Sequence, residues 1–177
     1  MLARRLALMV VVGALVGAAV AQDAAVPETP AHKAQIAKDK KELAAYTLTM
    51  DVVRRAFVTI SAIRDAAKSD PEIAKVIAPK KTDLEPTLDE MAATVGTLPQ
   101  VVAIVKAHGF TPRELTVAEI ALMEASMAAM FVEQGETVEA AVNEGLGNAA
   151  NIKLMGANKA EITELAKKYP MMDPPSQ

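Results

Sequence analysis

Eight consecutive residues, His108-Gly109-Phe110-Thr111-Pro112-Arg113-Glu114-Leu115, contain the stop of one helix and the start of the next. Gly109 supplies the left-handed conformation that closes a helix. Thr111 is a cap residue, and Pro112 follows at the first helical position, where a missing N–H is no loss. Glu114, three residues after Thr111, completes a capping box, and Phe110 and Leu115 flank the cap at the spacing of a hydrophobic staple. A chain punctuated in this way is committed to helix on both sides of the motif. The launched helix is expected to run over about 112–134. It carries apolar residues on two faces, Leu115, Ala118, Leu122 and Ala125 on one and Met123, Met127 and Met130 on another, which marks a central helix rather than a surface one.

Weaker signals of the same kind recur along the chain. Thr49 with Asp51 in the following turn predicts a helix from Met50 to about Ala67, after a break near 47–49. Asp70-Pro71-Glu72 opens a short helix, Thr87 with Glu90 forms a second capping box, Pro99 opens an apolar helix that ends at Gly109, and Asn148 caps a last helix expected to run unbroken over 149–168. Leu43, Tyr46, Met50, Val53, Phe57 and Ile60 recur at three and four residues, the stripe of a helix buried on one side. No alternating strand pattern and no repeat of fixed period is visible. Hydrophobic residues make up 51% of the chain and aromatics 3%, so the interior must be close-packed Ala, Val, Ile, Leu and Met, which suits helices. The expected fold is all-α, an irregular bundle of six or seven helices around the central helix.

The first residues have a different purpose. Arg4 and Arg5 precede an uncharged apolar run from Leu6 to Val20, which ends in the small-x-small pattern Ala19-Val20-Ala21. This is the pattern of a secretory signal peptide over 1–21, with the mature chain starting at Gln22. Residues 22–31, with Pro27 and Pro30, are expected to be a flexible linker, 32–169 the helical domain, and 170–177 a disordered tail. Export without a single cysteine suits a bacterial periplasm, and it excludes disulfides, thiolate catalysis, Cys-ligated metal and covalent c-type haem. Without Arg4 and Arg5 there remain 17 basic and 22 acidic residues, a net charge of −5. That balance offers no basic patch for nucleic acid, and after signal cleavage no stable membrane insertion is expected.

Three stretches carry a resemblance: Tyr46-Thr47-Leu48-Thr49-Met50-Asp51, Gly109-Phe110-Thr111-Pro112-Arg113-Glu114, and Asn148-Ala149-Ala150-Asn151-Ile152 running on to Asn158-Lys159. The chain resembles a group of uncharacterised small secreted helical proteins of bacteria. The resemblance implies export and a helical fold. It implies no activity, cofactor or site residue.

Candidate chemistry is sparse. His108 sits in the last turn of a helix, where an imidazole complements the dipole, and no Glu-x-x-His, Gly-x-Ser-x-Gly, phosphate-loop or dinucleotide motif is present. Met123, Met127 and Met130, at i, i+4 and i+7, are the candidate metal ligands, since thioethers bind Cu(I); the plainer explanation is that methionine fills gaps in a core poor in rings. Arg113 at a helix N-terminus is a candidate anion contact, against the plainer explanation of a solvated first-turn residue beside an ordinary cap. Asn151 and Asn158, two turns apart, are candidate ligand contacts; the favoured alternative is that they satisfy backbone groups freed at 47–49. No catalytic residue and no cofactor is assigned. The expected function is a non-enzymatic module that binds another protein or a small apolar ligand. Methionine-based copper handling and a hydrolase whose site assembles only in three dimensions are the alternatives.

Overall fold

The computed structural model describes residues 28–78 and 84–170, and all regular structure among them is helical. Nine helices follow in order: α1 Pro30–Ala45, α2 Met50–Ala67, α3 Pro71–Ile77, α4 Leu88–Gly96, α5 Pro99–Ala107, α6 Pro112–Glu133, α7 Val138–Asn143, α8 Ala149–Ala157 and α9 Lys159–Lys168. The signal segment 1–21, most of the linker and the tail after Pro170 lie outside the described residues.

The punctuation acts where the side chains place it. The Thr49, Thr87, Thr111, Thr137 and Asn148 side chains each accept a first-turn backbone N–H, and both expected capping boxes close. The chain breaks between Ala45 and Met50, and α2 begins at the residue expected of it. Two differences have local causes. Thr29 accepts the His32 N–H and Pro30 opens α1, so the first helix starts inside the segment expected to be linker. The last helix is not continuous: the Asn158 backbone leaves helical geometry at ψ 20°, and its Nδ2 donates to the Leu154 carbonyl at 2.8 Å, which ends α8 and starts α9 anew. That division takes the count among the described residues to nine, against the expected six or seven.

The joint between α5 and α6 is a Schellman closure. Gly109 has φ 75°, its N–H donates to the Lys106 carbonyl, and the Phe110 N–H reaches back to Val105. Phe110, Val105 and Leu115 then share one buried cluster with residues of α2 and α3. Arg55 of α2 crosses the joint. Its Nη1 lies 3.3 Å from the His108 carbonyl oxygen and 3.1 Å from that of Gly109, and its guanidinium sits 4.6 Å from the Phe110 ring centroid. A Cβ at position 109 would stand 3.1 Å from that Nη1, a tight approach that the guanidinium would have to yield to, and the positive φ by itself favours glycine there.

The core divides into four clusters of buried residues, and α6 contributes to every one: Leu115 and Ala118, then Ala121, Leu122 and Ala125, then Val117, then Ala128. By length and composition α6 is apolar enough to cross a membrane, with mean hydropathy 1.6 over an 18-residue window. It serves here as the common wall of four small cores. Only 44% of that window is buried, however, and the remainder defines the site described next.

Candidate binding face

Along its first half α6 is buried over a broad arc that includes Leu115, Thr116, Val117 and Ala118. Along its second half the buried residues shrink to one line, Ala121, Leu122, Ala125 and Ala128, which faces the clusters built by α2, α7 and α8. At 100° per residue the opposite side carries Met123, Met127 and Met130. None of the three belongs to a core cluster or packs against one. Met123 and Met127 are half-buried, Met130 is 54% exposed, and Phe131 beside it is 44% exposed. The gap-filling role expected of these methionines is therefore taken elsewhere, by Met155, Met50 and Met91. Met130 and Phe131 are the large hydrophobic side chains left exposed among the described residues.

Glu119 precedes Met123 by one turn on the same side of the helix. It makes no hydrogen bond or ion pair, and dehydration alone pushes its carboxyl up to about 7. In the unfolded chain the same carboxyl titrates near 4.5, so between these values the folded state holds the extra proton. Stability contributed by this group therefore falls as pH rises through that window and levels off above it. Part of the residue's surface remains open to water, which tempers the effect. Replacing Glu119 with Gln is expected to leave stability unchanged near pH 4 and to raise it by about 1–2 kcal/mol at pH 8. Urea unfolding at the two pH values checks this, and equal stability of the two proteins at pH 8 would contradict it.

The other sequence candidates are engaged in the architecture. Arg113 Nη1 and Nη2 grip both oxygens of Glu42 in α1, the latter at 2.9 Å, while Nε donates to Asp89 of α4 at 2.7 Å. Two carboxylates thus occupy the guanidinium that was a candidate anion contact, and in return Arg113 holds the Glu42 carboxyl below its ordinary range. Asn151 is fully buried. Its Oδ1 accepts the Leu48 N–H at 2.8 Å and its Nδ2 donates to the Tyr46 carbonyl at 2.9 Å. Asn148 donates to the same carbonyl at 2.8 Å. The two asparagines thereby satisfy the backbone of the break between α1 and α2. Asn158 acts only within its own helix boundary, so it and Asn151 do not converge on a common point.

His108 and Ser126 are each engaged within their own helix. His108 Nδ1 is 2.9 Å from the Ile104 carbonyl oxygen of its own helix, and the Ser126 hydroxyl donates to the Leu122 carbonyl at 2.6 Å. Among the described residues no three His, Cys, Asp or Glu side chains are placed to hold a metal ion. Two clefts among the described residues are well enough formed to describe. One, of 190 Å³, lies over Arg113, Glu42, Tyr46 and Val117; the other, of 260 Å³, lies between the ends of α2 and α9. Both fall below the roughly 300 Å³ at which enclosed small-molecule sites begin.

Sequence reasoning missed one buried acid. Asp39 of α1 accepts the Leu88 N–H at 2.8 Å and the Gln35 amide at 2.7 Å, so it caps the first turn of α4 from another helix. Its one local signal is an acid within a lysine-rich helix. Comparison of the chain with protein-family models, with curated proteins and with solved structures found no match in any of the three.

Proposed function

We propose that the protein is an exported, non-catalytic binding module, and that it engages another protein through the outer face of the second half of α6. One observation carries this reading: the most central helix of the fold leaves Met123, Met127, Met130 and Phe131 outside every core cluster, on one continuous side. Apolar surface of this kind on a small domain marks an interaction site. Methionine suits it, because its flexible thioether adapts to the shape of a partner. Neither of the two clefts described above reaches the size of an enclosed small-molecule site, and the apolar side of α6 offers a surface rather than a cavity. The N-terminal signal pattern supports a site of action outside the cytoplasm.

Site-specific photocrosslinking tests the reading. A benzophenone amino acid at position 131 is expected to give discrete protein adducts in producing cells, while the same group at the exposed Lys41 gives none. The absence of adducts at both positions would overturn it.

A further inference from the structure

From Glu114 to Ile152 the chain contains seven glutamates and no lysine, arginine or aspartate. This stretch includes α6 from Glu114 onward, so the charges that the helix itself sets beside its open methionine face are all carboxylates. Glu119 stands at one end of that face, one turn before Met123. Glu136 stands at the other, where its N–H donates to the Phe131 carbonyl. Between them, Glu124 and Glu133 project from the flanks. Among the described residues, cations from other elements meet only part of this charge: Lys159 of α9 pairs with Glu133 at 2.8 Å, and Lys40 of α1 lies near enough to Glu124 to act on its carboxyl. Glu119 and Glu136 have no such partner, and Glu136 is exposed.

This sign pattern discriminates among occupants. A second copy pairing α6 with α6 would set carboxylates against carboxylates, with no cation on the helix after Arg113 to offset them. An acidic or neutral helix gains nothing from the rim. A helix with one apolar side and lysines or arginines along its edges matches both features, its apolar side on the methionines and Phe131, its cations over the exposed Glu136. The anchors at 123, 127, 130 and 131 span about two turns, or roughly 12 Å, the scale on which a helix is read by residues at i, i+4 and i+7. We infer that the outer face of α6 is a docking face for a cationic amphipathic helix of a partner protein, an inference that rests on the binding-module reading above.

Fluorescence anisotropy with the processed full-length protein tests it. The probe is a labelled amphipathic peptide of leucine and lysine, and its control is the same peptide with glutamate at every lysine. The lysine peptide is expected to bind, and raising the salt from about 0.05 to 0.5 M should weaken it by roughly tenfold or more. A Met130→Gln, Phe131→Ala protein should bind it roughly tenfold more weakly while keeping its urea midpoint, and Glu136→Lys should narrow the gap between the two peptides. Equal binding of both peptides, no binding of the lysine peptide, or a protein that sedimentation shows to be a dimer dissociated by the Met130 and Phe131 changes would overturn the inference. Adducts at position 131 together with a silent lysine peptide would remove the cationic partner and leave the module reading standing; failure of the crosslinking itself removes the module reading.

Discussion

Asn151→Ala is expected to destabilise the protein by about 3 kcal/mol, a large share of the stability of a domain this size. The amide is fully buried and serves both ends of the break between α1 and α2. Its removal leaves the Leu48 N–H, on a residue that is itself buried, without a partner in a place that water does not reach. The Tyr46 carbonyl keeps its bond from Asn148, so the penalty falls mainly on Leu48. Asn158→Ala supplies the contrast. That side chain is half-buried and bonds within its own helix end, so its loss should amount to less than about 1 kcal/mol. Urea unfolding of the two variants separates the cases, and a loss below 1 kcal/mol for Asn151→Ala would contradict the clamp.

Phe110→Ala is expected to cost about 4 kcal/mol. The ring is 5% exposed in a chain with few rings, and it packs in the cluster that joins α2, α3, α5 and α6. Alanine there leaves a cavity bordered by Val105 and Leu115, opens the staple at the start of α6, and removes the aromatic face beneath Arg55. Because α6 enters all four clusters, the loosening at its first turn should spread, and the transition should stay a single cooperative one at a lower midpoint. A variant within about 1 kcal/mol of the parent, followed by denaturant titration, would show that the joint is not a keystone of the fold.

The helix starts were legible because capping is local. Thr49, Thr87, Thr111 and Asn148 act within three residues of themselves, and each caps the helix read from the sequence. The clamp by Asn151 was legible in outline, since a break predicts unpaired backbone groups and a nearby helix offered an amide to meet them. Contacts across long stretches of chain left no such trace. Asp39 reaches the first turn of α4 from 49 residues away, and Arg113 reaches Glu42 from 71 residues away. The open face of α6 was illegible for a third reason. A helix apolar on nearly every side does not reveal from its own periodicity which side its neighbours cover. Packing decides that α7 and α8 lie against Ala128 and leave Met130 in solvent.

The central claim is that the helix shared by all four cores keeps Met130 and Phe131, at the end of its methionine side, exposed in the native protein. Limited oxidation with hydrogen peroxide under native conditions, read per residue by mass spectrometry, tests it most directly, because thioethers oxidise according to their exposure. Among the methionines of the described residues Met130 should oxidise first, at least tenfold faster than the buried Met155, which is 5% exposed, with Met123 and Met127 between them and the helical circular dichroism unchanged. Protection of Met130 equal to that of Met155 would contradict the account.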